Sequence, residues 1–273
     1  MSDLRAFLAE RAIDGRVAWT DQVAAMDAFG LSCAEAERAI LDAALLPARY
    51  QRNQAMLTTG QQRQLFDSVV AVAGLGGLGG YIIEELARLG VGSLVAIDPD
   101  VFVEHNLNRQ LLSAPSSLGI SKVDQAVARV AGINPAVTVR GVRATLTEYN
   151  ARDVLTGATV VADALDSAAA RLDLAAACRV LDLPFVHGAI GGWYGNVTTV
   201  WPGDSTLDRL YPDGTGGRGI ESDLGNPSFT PAIVGSLQVA EICKVLLGIG
   251  EPLRQRILSV DLFHMEVHQI RLE

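Results

Sequence analysis

Val69-Val70-Ala71-Val72-Ala73-Gly74-Leu75-Gly76-Gly77-Leu78-Gly79-Gly80 runs five small or β-branched apolar residues straight into a glycine cluster. Such a run bounded by glycine reads as a buried parallel strand. Gly74, Gly76, Gly77 and Gly79 suit a tight strand-to-helix turn whose backbone can approach a ligand. Tyr81 to Leu89 then has helical spacing, and the first turn of that helix would aim free N–H groups and a positive dipole end at the glycines, a setting for phosphate. Gly74-x-Gly76-x-x-Gly79 matches the dinucleotide fingerprint. Alone it specifies no chemistry, and its plain alternative is a turn whose glycines only let helix and strand pack closely.

On the N-terminal side, residues 2–46 read as a small helical unit. Ser2-Asp3 caps a helix through about Ala12, Thr20-Asp21 caps a second that Gly30 ends, and Ser32 with Glu35 forms a capping box for a third running toward Pro47. Helix, turn, helix is also the outline of a DNA-binding motif. Residues 1–46 carry eight acidic and four basic side chains, the wrong balance for phosphate contacts, so a packing or docking appendage is expected. Pro47 to Asn53 reads as a linker, and Gln61 to Phe66 as a helix. Beyond the glycine turn, strands are expected at 93–97, 136–142, 158–163 and 184–188, alternating with helices near 79–89, 121–132, 147–155 and 167–182. That alternation means a parallel sheet covered on both faces. Trp193 to Trp201 reads as an antiparallel continuation, 203–232 as a long loop, Ile233 to Leu247 as a helix, and 256–262 and 265–272 as closing strands.

The chain has 273 residues, 49% hydrophobic composition and a formal net charge of −9, which bounds it to one large domain or a main domain with a small appendage and disfavours a general nucleic-acid binder. Cys33, Cys178 and Cys243 are isolated, with no C-x-x-C pair, a usage that fits a reducing cytoplasm. Neither a signal peptide nor an 18-residue apolar run is evident, so no membrane association is expected.

Ligands of such sheets bind outside the carboxyl ends of the strands. The second strand ends in Asp98-x-Asp100, with Asp98 at the spacing of a ribose-binding carboxylate. Arg109 follows soon after, and Lys122 opens the next helix; two cations beside a positive helix end imply a polyanion. Asp166, after the strand at 158–163, is a candidate magnesium ligand. Each has an ordinary alternative: a turn residue for Asp98, a surface ion pair for Arg109, a solvated side chain for Lys122, a helix cap for Asp166. Their recurrence at successive strand ends favours the functional reading.

Gly74-x-Gly76-Gly77-x-Gly79, Asp98-x-Asp100, Asn106-x-x-Arg109-Gln110, Lys122, Asp166 and the helix start Gly235-Ser236-Leu237-Gln238 together resemble the ThiF/MoeB/HesA group, over about residues 47–273. The resemblance implies a doubly wound, Rossmann-like α/β fold with a mostly parallel sheet and antiparallel C-terminal strands, the N-terminal helical unit standing outside it. It implies an adenylyltransferase that uses ATP and Mg2+ to activate the C-terminal Gly-Gly carboxylate of a ubiquitin-like sulfur-carrier protein. By position, Asp98 would hold ribose, with Asp100 beside it; Arg109 and Lys122 would grip phosphates with Asn106 and Gln110 nearby; Asp166 would bind magnesium. Gly76 and Gly77 would let the backbone approach ATP. Arg52 would reach the γ-phosphate of a neighbouring subunit, which implies a homodimer.

Three departures from the family pattern matter. No cysteines stand where many members bind zinc, so no zinc is expected. Residues 203–232 contain no cysteine for a covalent step, although Ser222 lies there, so sulfur is expected to come from another protein. Ser167 follows Asp166 where asparagine is common, while Arg171 keeps its usual place. The alternatives left open are an NAD-dependent oxidoreductase using the same glycine turn, a relative acting on a modified tRNA carboxylate, and a non-catalytic docking protein.

Overall fold

The computed structural model describes residues 2–212 and 224–272. Its centre is an eight-stranded sheet. Five strands are parallel: β3 (Val69–Ala73), β4 (Ser93–Ile97), β5 (Thr138–Val142), β6 (Val160–Asp163) and β7 (Phe185–Gly191). Three more continue antiparallel from β7: β8 (Tyr194–Val200), β9 (Arg256–Asp261) and β10 (Glu266–Arg271). The spatial order is β5-β4-β3-β6-β7-β8-β9-β10. The chain leaves β3 toward β4 and β5, then returns to the other side of β3 for β6 and β7. The sheet is therefore doubly wound, as expected, with its switch point between β3 and β6, where such folds hold ligands.

Alternation along the strands divides the core. Val70, Val72, Leu94, Ala96, Val160 and Ala162 face one layer, which holds α5 (Gly77–Leu89), α6 (Lys122–Ile133) and α10 (Phe229–Leu247). Ala71, Ala73, Val95, Ile97 and Val161 face the other, which holds α7 (Ala151–Leu155), α8 (Ala168–Leu181) and α9 (Thr206–Leu210). Being buried on both faces, these strands read as continuous apolar runs. Helix α10 is apolar and long enough to match a membrane span in length and composition. Here it packs on α5, β7 and β8, with Val234, Val239 and Ile242 buried.

The N-terminal unit contains α1 (Ser2–Arg11), α2 (Trp19–Phe29) and α3 (Cys33–Asp42) around Leu8, Val17, Ala25 and Ile40. The capping box of Ser32 and Glu35 forms. Thr20 does not cap α2, which begins at Trp19 with Ala18 in the cap position and no side-chain cap. Helix α3 stops at Asp42, and Ala44 at φ +58° turns the chain so that β2 (Leu46–Pro47) pairs in parallel with β1 (Arg16–Val17), a long-range pairing with no local signal.

Residues 48–53 form a 3-10 helix with Tyr50 fully buried, which corrects the reading of this stretch as a linker. Tyr50 Oη donates to Glu37 Oε1 at 2.6 Å and accepts from Asn134 Nδ2 at 2.8 Å. Arg49 reaches Glu37 at 3.1 Å, Gln22 Oε1 at 2.7 Å and Asn134 Oδ1 at 2.5 Å. Burial pushes the Glu37 carboxyl up, against the pull of Arg49. Removing one partner from such a network strands a buried charge, so residues on α2, α3 and the end of α6 are welded together through Arg49 and Tyr50. Between α3 and β3, helix α4 spans Thr59–Phe66.

Where β3 meets α5, a Cβ on Gly79 would lie 1.9 Å from the Gly74 carbonyl oxygen. Gly79→Ala is expected to cost about 3 kcal/mol or more, the range of a core steric conflict. Gly60→Ala, on α4 and meeting nothing closer than 3.9 Å, is expected to be neutral or to stabilise by about 0.5–1 kcal/mol. Urea unfolding midpoints of the two variants check this.

Candidate active site

Register brings the site together. Ala73 of β3 lies opposite Ile97 of β4 and Asp163 of β6, so Gly74, Asp98 and Ala164 leave the sheet at one level. A cleft of about 330 Å³ opens there. Of the residues expected from sequence, Gly74, Gly76, Gly77, Asp98, Asp100, Arg109, Gln110, Lys122 and Asp166 line it.

Gly74 has φ +93°, and a Cβ on it would lie 2.6 Å from the Ala164 carbonyl oxygen; only glycine fits there. Gly76 takes the N-cap position of α5, so the helix begins at the cleft with unsatisfied N–H groups. Asp98 is buried. Its Oδ2 accepts from the Leu75 N–H at 2.7 Å and its Oδ1 from the Asp100 N–H at 2.8 Å. Burial pushes this carboxyl up, while those N–H groups and Lys122 pull it down. The same carboxylate thus braces the glycine turn and keeps further lone pairs for a ligand hydroxyl.

Lys122 is 7% exposed at the start of α6, with Nζ 2.9 Å from Asp100 Oδ2 and 3.7 Å from Asp98 Oδ1. It is not a solvated surface residue. Arg109 donates through Nη1 to the His105 carbonyl oxygen at 3.0 Å and Asn108 Oδ1 at 2.9 Å. Among the described residues no carboxylate pairs with it, and burial lowers its pKa. Gln110 is buried, with Oε1 lacking any partner among the described residues, an atom that a ligand at the cleft would satisfy. Asp166 is exposed at the cleft wall. It does not cap α8; Ser167 does, its Oγ accepting from the Ala170 N–H at 3.3 Å.

Three expected site residues do not line the cleft. Gly79 serves helix–strand packing. Asn106 is 4% exposed and turned inward, its Oδ1 accepting from the Val103 N–H at 3.0 Å; it holds the short helix before Arg109. Arg52 is exposed on the 3-10 helix at 48–53. Trp193 packs against Phe229 and edge-on against Phe263, at centroid distances of 4.5 and 5.7 Å. Ser222 lies outside the described residues. Sequence reading gave no role to Arg171, Ile190 or Asn226, which line the cleft. Arg171 had an available signal, its usual place in the family pattern four residues after Ser167.

The cleft thus combines a glycine turn and a helix N-terminus with the carboxylates of Asp98, Asp100 and Asp166 and the cations of Arg109 and Lys122. The ThiF family model matches residues 50–273. The chain belongs to the ThiF family. It is 38% identical over 229 residues to the SAMP-activating enzyme E1 of Haloferax volcanii, covering 82% of this chain and 84% of that one. It is 34% identical over 225 residues to the sulfur carrier protein adenylyltransferase of Thermus thermophilus, covering 78% and 82%. It spans about half the length of the plant MOCS3 proteins it matches. E. coli MccB, crystallised with ATP, shares the fold at a TM-score of 0.68 and 17% identity, over 92% of this chain and 82% of that one.

Cys33 and Cys178 are buried and Cys243 partly so. Burial pushes the Cys178 thiol up to about 12 and the Cys243 thiol up to about 11. Both stay neutral thiols at pH 8, since a raised pKa delays thiolate formation. An aromatic disulfide reagent at pH 8 is therefore expected to leave the native protein largely unlabelled and to titrate all three thiols after denaturation.

Proposed function

We propose that this protein adenylates the C-terminal glycine carboxylate of a ubiquitin-like sulfur-carrier protein with Mg2+ and ATP, as a homodimer in the cytoplasm. The observation that carries the reading is Arg109, a guanidinium with no carboxylate partner among the described residues, beside the buried ammonium of Lys122 and the open glycine cradle. That concentration of positive charge suits a triphosphate, and hydride transfer has no use for it. The names of the relatives from Haloferax and Thermus support the same activity.

In this reading Asp98 binds the ribose, and the glycine turn with the start of α5 receives the phosphates. Lys122 and Arg109 neutralise charge as it builds. A carboxylate oxygen of the carrier attacks the α-phosphorus, the bond from that phosphorus to the bridging oxygen breaks, and pyrophosphate leaves. The acyl-adenylate forms with no protein nucleophile. Catalysis is positioning plus electrostatic stabilisation. Asp166 fits a metal ligand, because its carboxylate lines the cleft beside the cations; Mg2+ bound there supplies charge neutralisation of the triphosphate. Arg52, outside its own cleft, acts on the partner's. Sulfur would come from a separate protein.

ATP–pyrophosphate exchange, dependent on a small protein ending in Gly-Gly, tests this. Arg109→Ala is expected to lower exchange by about 100-fold, the scale of one lost electrostatic stabiliser. Exchange that is independent of the carrier, or unchanged in the variant, would overturn the reading. Arg52→Ala and Asp166→Ala, each inactive alone, are expected on mixing to recover about a quarter of wild-type activity, because half the dimers of a two-fold assembly are then mixed and each has one intact site.

A further inference from the structure

A closed ring of hydrogen bonds runs from the cleft wall that carries Asp166, where Arg171 lines the cleft, into the interior, and the reaction steps above do not use it. Sheet register sets its first pair: Asp163, the last residue of β6, lies opposite His187 of β7. His187 Nδ1 is 2.7 Å from Asp163 Oδ2, and its Nε2 is 3.3 Å from Tyr211 Oη. Arg171, in α8, donates from Nη1 to Tyr211 Oη at 2.9 Å. Its Nε and Nη2 donate to the Leu165 carbonyl oxygen at 3.2 and 2.9 Å. The Leu165 N–H closes the ring on Asp163 Oδ1 at 3.1 Å.

The links are complementary: His187 donates from Nδ1 to the Asp163 carboxylate, and the Tyr211 oxygen, which accepts from Arg171, meets the other ring nitrogen. Asp163 is 0%, His187 1% and Arg171 3% exposed. Polar groups buried this deeply are costly unless fully paired, and fully paired they rigidify. What they rigidify is specific. The Leu165 residue is gripped at its N–H by Asp163 and at its carbonyl by Arg171, and the next residue is Asp166. Gln238 adds a third hold, donating to the Asp163 carbonyl oxygen at 2.8 Å.

We propose that Asp163, His187, Tyr211 and Arg171 are positioning residues for Asp166, fixing the 164–166 turn so that its carboxylate meets the metal–nucleotide. This rests on the reading of Asp166 as the Mg2+ ligand. Tyr211 sits just beyond α9, so the ring also makes the metal ligand's placement depend on how the chain after β8 is seated.

Tyr211→Phe removes one hydroxyl and leaves the ring that packs edge-on against His187. The measurement is binding of a fluorescent ATP analogue across a Mg2+ titration, beside carrier-dependent exchange. Losing the hydroxyl, and with it the hydrogen bonds to His187 and from Arg171, is expected to raise the Mg2+ concentration at half-maximal affinity about fivefold. Affinity in EDTA and the KM for the carrier should stay as in the wild type. In an Asp166→Ala background the same substitution should have no further effect on Mg2+ dependence, since the two act in series. His187→Gln should repeat the shift, guarding against a particular defect of the phenylalanine variant. An unchanged Mg2+ midpoint in both variants, or an equal shift with and without Asp166, would overturn the proposal. Wild-type binding that ignores Mg2+, or an Asp166→Ala variant that retains the wild-type Mg2+ dependence, would instead remove the metal role of Asp166 itself.

Discussion

The close contact of α5 with the ends of β3 and β6 is the constraint on which the site depends. A Cβ at Gly74 would strike the Ala164 carbonyl, and one at Gly79 the Gly74 carbonyl. Without side chains at these points, a helix N-terminus comes up against two adjacent strand ends at the switch point of the sheet. The Asp98 carboxylate then braces the turn through the Leu75 N–H. The backbone donors of the turn and the carboxylates of Asp98 and Asp166 are thus set by one packing event. Backbone contacts of this kind have no flexible element to absorb an added atom.

Around that point, charge is distributed unevenly. Lys122 is held by Asp100 and lies near Asp98, while Arg109 is braced by a carbonyl and an amide rather than a carboxylate. A cation oriented by neutral groups keeps its charge available for a ligand; one oriented by a carboxylate is partly neutralised. The two therefore contribute differently to one anionic site. Asn106, inside the chain that leads to Arg109, contributes by shaping the backbone rather than by touching the cleft.

Much of this was legible in one dimension because it depends on local chemistry. The apolar run at 69–73, the glycine turn, and Ser32 with Glu35 all carry their conformational signal within a few residues. Residues after successive parallel strands converge by topology, which is why Asp98, Lys122 and Asp166 could be grouped before any coordinates. Arg49 and Tyr50 were less legible. They read as linker residues, yet their partners Glu37 and Asn134 are distant in sequence, and no local pattern announces a buried network. The pairing of β1 with β2 and the early end of α3 failed to show for the same reason.

Sequence alone was sufficient for the doubly wound architecture and for nine of the residues that line the cleft, since strand periodicity, turn chemistry and strand-end placement are short-range properties, and the resemblance of its motifs gave the family. Tertiary structure alone decided which expected residues face the cleft. Gly79 was turned to packing, Asn106 to a turn, and Arg52 to the surface. It also decided that Asp163, His187, Tyr211 and Arg171 close on Leu165. Their contacts span β6, β7, α8 and the residue after α9, and such a ring exists only once sheet register has set those elements side by side.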